Sequence, residues 1–253
     1  MMPGLFPDPY AAAADLREDR LSGPLFSGAT LSQSYIERTL AAAQQDAERA
    51  LRVYFGPVEV LPDDGDQQTR DALSADGVRW VEDPGYDLDP KFFQGDRWGF
   101  LRLRHRPVSA IASIRFLYPH PYSGVFEVPA DWIRLDKRAG DINLVPGTQS
   151  FTAPLSAWVM QVMGGGRSIP RMIQIRYTAG LSGADEWPDV ADLVMQMAAL
   201  RVLKNLMLPG SGSISADGLS QSTTVAVKDY QEDIDARLER LRQSIHGIQV
   251  TCL

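Results

Sequence analysis

The chain changes its hydrophobic period twice, and that double change constrains the fold more than any single motif. Ile36, Leu40, Ala43, Ala47, Leu51 and Tyr54 recur at steps of four and three, the spacing of one helix face. Residues 57–180 then break into short apolar runs separated by Gly, Pro and Asp clusters, as strands joined by turns do. From Pro188 the helical period returns and holds nearly to the end of the chain. Helix, strands and helices in that order predict an α+β fold. The helical core comes from the N-terminal helix and two C-terminal helices, and a long antiparallel β-rich insertion separates them.

The boundaries follow from the punctuation. Residues 1–29, with three prolines in the first nine positions, read as a flexible, irregular N-terminal arm. The first helix starts at Ser34, which has capping-box spacing to Glu37, and ends at Gly56-Pro57. Strands are expected at 58–61, 78–81, 100–105, 111–118, 126–128, 132–135, 142–145 and 172–178. The run PDDGDQQTRD reads as a polar loop, and the whole region reads as antiparallel without βαβ crossovers. Residues 188–208 form a helix whose face (Val190, Leu193, Val194, Met197, Leu200, Leu203) is too apolar to stand free. A charged helix over 229–245 buries Ile234, Leu238, Leu241 and Ile245, with Asp233 and Arg237 expected to pair along it. The expected organisation is an arm at 1–29, a helical core from 30–56 and 181–246, a β-insertion at 57–180 and a tail at 247–253.

Composition excludes several classes. A net charge of −7 argues against binding along a nucleic-acid duplex, which needs a basic surface. Cys252 is the single cysteine, so no disulfide framework forms within the chain. The N-terminus lacks a basic segment followed by a long apolar run, and no membrane-length apolar stretch occurs, so neither a signal peptide nor a membrane partner is expected.

Catalytic and metal motifs are missing in the same way. His105, His120 and His246 are isolated from one another and from Cys252, so no zinc ligand set forms. Gly210-Ser211-Gly212-Ser213 follows a helix, without the strand a nucleophile elbow requires. Gly164-Gly165-Gly166-Arg167-Ser168 lacks the lysine of a phosphate loop. The acids Asp63, Asp64, Asp66, Asp83, Asp87, Asp89 and Asp96 sit in turn-rich segments where Asp bonds its own backbone. An alternative of another class remains, a carbohydrate hydrolase that uses loop aspartates such as Asp83 and Asp87. No cofactor and no catalytic residue is expected. Trp158, Val159, Met160, Val162 and Met163 beside three glycines read as a strand and hairpin tip, or as an apolar docking loop.

One succession of residues resembles a known family. Tyr177-Thr178-Ala179-Gly180-Leu181 leads through Trp187-Pro188-Asp189-Val190 into the apolar helix with Met197-Ala198-Ala199-Leu200. The loop 213–222 and the charged helix then follow, and Val128-Pro129-Ala130-Asp131-Trp132 and Gly140-Asp141-Ile142-Asn143-Leu144 mark the insertion. This order resembles the head–tail adaptor (connector) proteins of tailed bacteriophages and related gene-transfer particles, in their larger form. The resemblance implies a non-enzymatic virion protein, made in the host cytoplasm, in a ring of about twelve identical subunits beneath the portal. DNA would pass through the lumen without sequence-specific binding, and the next neck or tail component would dock on the ring. The tail Gly247, Ile248, Gln249, Val250, Thr251, Cys252 and Leu253 would grip the portal as an added strand. Ser213, Ile214, Asp217, Leu219, Trp158, Met160 and Met163 would contact neighbouring subunits or the tail. A phage tail terminator or stopper protein is the alternative within the same particle.

Overall fold

The computed structural model describes residues 5–23, 26, 30–64, 66–93, 99–119, 122–145, 167–181, 187–207 and 219–246. The chain divides into two compact units, one helical (Pro3–Gly56 with Ser182–Leu253) and one of strands (Pro57–Leu181). Helices and mixed sheets make it an α+β protein.

The helical unit has one helix more than the sequence suggests. Residues 9–20, expected as part of an irregular arm, form helix α1 (Pro9–Arg20). Asp8 accepts from the backbone N–H groups of Tyr10 and Ala11, and Pro9 takes the first helical position, where its missing N–H costs nothing. The prolines thus start a helix here. Leu5, Ala12, Ala13, Leu16 and Leu21 are buried.

Helix α2 (Gln33–Leu51) carries the expected stripe, with Ile36, Leu40, Ala43, Ala47 and Leu51 all buried. Its cap is Ser32, two residues before the expected Ser34, and its last turn is closed by Arg52 in the left-handed region, ahead of Gly56-Pro57. Glu48 explains the early stop. Its buried carboxylate accepts the Phe55 N–H at 2.9 Å, folding the chain back over the helix end.

Helix α4 (Pro188–Met207) is the central helix: Val190, Leu193, Val194, Ala198, Ala199, Leu200, Val202 and Leu203 are buried around most of its circumference. Helix α5 spans Leu219–His246, starting ten residues before the expected 229. The β-branched run in 219–227 reads as loop by propensity, but no Gly or Pro interrupts it. Ile234, Leu241 and Ile245 are buried.

One carboxylate ties three of these helices together. Asp192 of α4 accepts Arg20 of α1 on Oδ1 and Arg237 of α5 on Oδ2, the latter at 2.8 Å. Arg237 therefore reaches across to α4 instead of pairing with Asp233 along its own helix. An interhelical carboxylate offers two oxygens to two guanidinium groups, which a single i,i+4 contact does not.

The strand unit has a six-stranded sheet in the order β2 (Trp80–Asp83), β1 (Val58–Pro62), β9 (Ile169–Ala179), β5 (Val108–Pro119), β6 (Tyr122–Glu127), with β3 (Tyr86–Leu88) also on β9. A second sheet has the order β4 (Phe100–Arg102), β8 (Asp141–Leu144), β7 (Ile133–Asp136). β1 and β2 are parallel and joined through helix α3 (Gln67–Ala75), so the unit contains the βαβ crossover that the sequence reading excluded. The polar run read as a loop is that helix. Asp66 caps it, accepting the Thr69 N–H at 3.2 Å and the Thr69 hydroxyl at 2.6 Å. Arg70 then reaches back to the Pro62 carbonyl and to Glu82, both at 2.9 Å, joining the helix to both parallel strands.

Register sorts the two faces of the large sheet. Val60, Tyr177, Ile114, Ile175, Phe116 and Ile173 share the apolar face, where Phe116, Phe126 and Trp132 form a chain of ring contacts at 6.2 and 5.7 Å. Glu59, Arg176, Thr178 and Arg115 lie on the other face. The β7–β8 turn closes on Gly140 at φ 66, where a Cβ would come within 2.6 Å of Arg106 Cγ. Backbone conformation and space both require glycine there.

Asp192→Ala should remove both interhelical ion pairs and lower the stability of the helical unit by about 1 kcal/mol, a modest value because the pairs are partly open to solvent. Urea denaturation followed by helical circular dichroism measures this, and an unchanged midpoint would show that the junction contributes nothing.

Candidate functional surfaces

Asp83 and Asp87, the aspartates of the hydrolase reading, are committed to holding strands. Asp83 ends β2 with its side chain 2% exposed. Its Oδ2 accepts the Tyr86 hydroxyl at 2.7 Å and the Tyr177 hydroxyl at 3.1 Å. Its Oδ1 accepts Arg104 Nη1, which also donates to the Pro84 carbonyl. Both phenol oxygens receive a backbone N–H in turn, Tyr86 from Arg104 at 3.1 Å and Tyr177 from His105 at 3.3 Å. The Arg104 guanidinium lies 4.1 Å from the centroid of the Tyr86 ring, a cation–π contact. With both oxygens occupied by donors, Asp83 has a structural role. Asp87 accepts the backbone N–H of Arg171 at 2.9 Å, fixing a residue held at φ 54 near the start of β9.

The electrostatics of this cluster follow from its burial. Burial raises the Tyr86 phenol far above its ordinary value of 10, and the charge of Asp83 adds to the shift. Tyr177 is raised further, by burial first and then by Tyr86 and Asp83. Burial lowers His105, and Asp83 opposes that shift. Burial alone would lower Arg104, but its hydrogen bond to Asp83 and that group's charge override it and raise it.

A concavity of about 240 Å³ lies on the polar face of the large sheet, lined by Arg70, Arg115, Arg176, Asp64, Asp66 and Glu127 among others. Its arginines are neutralised within the unit: Arg115 pairs with Asp64, Arg70 with Glu82, and Arg176 with Glu59 at 3.4 Å. The cleft is therefore a salt-bridged surface, with no surplus of positive charge to attract an anion.

A groove of about 320 Å³ runs between α2, α4 and α5 in the helical unit. Ala43, Met197, Leu200, Ile234 and Leu238 supply its apolar lining, and Asp46–Arg201 at 3.2 Å and Lys204–Gln231 at 2.7 Å close its rim. Among the described residues, no group of three or more His, Cys, Asp or Glu is placed to hold a metal ion, and no helix is long and apolar enough to cross a membrane.

Most contact residues expected from the sequence fall elsewhere. Gly247, Ile248, Gln249, Val250, Thr251, Cys252 and Leu253 lie outside the described residues, as do Ser213, Ile214, Asp217, Trp158, Met160, Met163 and His120. Leu219 is the first residue of α5. The sequence reading missed Tyr86, Arg104 and Tyr177, because a cluster drawn from four distant segments leaves no spacing signal.

The fold defines a class, an α+β chain whose helical unit is interrupted by a long strand unit. No family model matches the chain. No curated protein matches it either. Two solved structures are similar to it. One is a chain from the virion of a native gene transfer agent particle, with 16% identity, a TM-score of 0.45, and coverage of 98% of this chain and 96% of that one. The other is a chain from the neck of an empty gene transfer agent particle with C6 symmetry, with 17% identity, a TM-score of 0.39, and coverage of 83% and 86%.

The Tyr86 and Tyr177 shifts give a pH prediction. A phenol whose folded pKa exceeds its unfolded one contributes stability that is complete below about pH 10 and is lost as the pH rises past it. Ultraviolet titration should therefore show two of the eight tyrosines ionising only as the strand unit unfolds. Ionisation of all eight near pH 10 without loss of structure would contradict the buried network.

Proposed function

We propose that the chain is a non-enzymatic structural component of a virion neck, and within that class a head–tail adaptor seated under the portal of a DNA-filled head. The observation that carries the reading is the order of elements. An N-terminal helix, α2, packs with two C-terminal helices, α4 and α5, into one unit, and the strand unit is inserted between them. This is the order on which the family resemblance rests, and Tyr177-Thr178-Ala179-Gly180-Leu181 stands at the return from strands to helices.

In this reading identical subunits form a ring around the DNA channel, and residues 247–253 of each subunit grip the portal. Residues 213–219 and the segment with Trp158, Met160 and Met163 contact a neighbour or the next neck component. The surface needs no catalytic centre. Small contacts repeated around a ring act together, so the assembly binds more tightly than one subunit does. The acidic balance of the chain suits a channel that lets DNA slide.

Removal of residues 247–253 should abolish co-sedimentation with purified portal while leaving helical content and melting temperature unchanged. Undiminished portal binding by the truncated protein would remove the tail from the account. Binding to tail tube and not to portal would favour the terminator reading.

A further inference from the structure

We propose that the outer face of the three-stranded sheet of one copy docks against the exposed face of α5 of a neighbouring copy, through complementary charge. This rests on the ring reading and names a contact that would hold the ring together. The chain is acidic as a whole, but its positive charge is concentrated. Arg102, Arg104, Arg106, Arg134, Lys137 and Arg138 lie on or beside the small sheet, against Asp131, Asp136 and Asp141. Register places Phe100, Arg102, Asn143 and Arg134 on one face of that sheet, with Arg102 and Arg134 exposed. The nearby carboxylates are occupied. Asp141 takes Arg102 through both oxygens at 2.6 and 2.8 Å, and Asp136 Oδ1 accepts the N–H groups of Arg138 and Ala139 in the turn. Arg134 donates only to the carbonyls of Asp131 and Ile133. Lys137 is exposed, and no carboxylate partners it among the described residues.

The opposite pattern lies on α5. Asp229, Glu232, Asp233, Asp235 and Glu239 are exposed on it. Asp229 and Asp233 stand four residues apart on one face, where like charges repel, and neither has an ion-pair partner among the described residues. Such uncompensated repulsion on a well-formed helix fits a cation supplied from outside. A head-to-tail contact of two different patches is also the kind that closes a ring.

The test is self-association of the full chain by sedimentation velocity, at low ionic strength and near 1 M salt, where screening shortens to about 3 Å. Association should weaken with salt. The double variants Arg134→Glu/Lys137→Glu and Asp229→Lys/Asp233→Lys should each weaken it by roughly tenfold. Mixing the two should restore it, because each altered patch then meets an altered partner. These side chains are exposed, and circular dichroism checks that both variants fold. A chain that stays monomeric at low salt, variants that associate normally, or a mixture that does not recover would each overturn the contact. So would a patch that binds duplex DNA while association ignores its reversal. Variants that still form rings on portal would sink this contact and leave the adaptor reading standing. Wild-type protein that forms no ring on portal would sink that reading itself.

Discussion

The pairing of β1 with β9 is the constraint on which the architecture depends. These are the first and last strands of the insertion, and they are antiparallel neighbours, with Val58 opposite Ala179 and Val60 opposite Tyr177. Opposed residues in such a pair lie about 5 Å apart, so the strand unit begins and ends at one place. A segment with adjoining ends can interrupt a helical fold without pulling its helices apart. β9 is also the central strand of the large sheet, with β1 and β3 on one side and β5 on the other. Met172, Ile173, Gln174 and Ile175 are consequently buried in succession, which an edge strand would not require.

Each unit also carries one buried or half-buried carboxylate that joins elements distant in sequence. Asp83 gathers Tyr86, Arg104 and Tyr177, and Asp192 gathers Arg20 and Arg237. Burying a charge is costly unless its lone pairs are filled, and here they are. Removal of one partner leaves the rest of the cluster uncompensated, so these junctions specify an arrangement more than they add net stability.

What could be read from the sequence depended on how far the signal travels along the chain. The α2 stripe and the apolar α4 were legible because their packing repeats every three or four residues. Helix α1 was misread because its prolines were taken as breakers, when Asp8 and Pro9 form its start. Helix α3 was missed because nine polar residues carry almost no apolar period, and the parallel pairing of β1 with β2 was lost along with it. The partners of Asp83 and the cross-helix partner of Arg237 could not be read at all. They depend on tertiary proximity, and the i,i+4 rule pointed Arg237 toward Asp233 instead.

The functional reading draws on the same architecture, a helical unit that is one fold although its sequence comes in two pieces. The direct test replaces residues 57–181 with a short Gly/Ser linker and follows thermal unfolding by circular dichroism. The account predicts a cooperative helical transition, because α1, α2, α4 and α5 bury their apolar faces on one another. A chain that is unfolded at all temperatures would show that the helical unit does not stand as a fold, and would contradict the central claim.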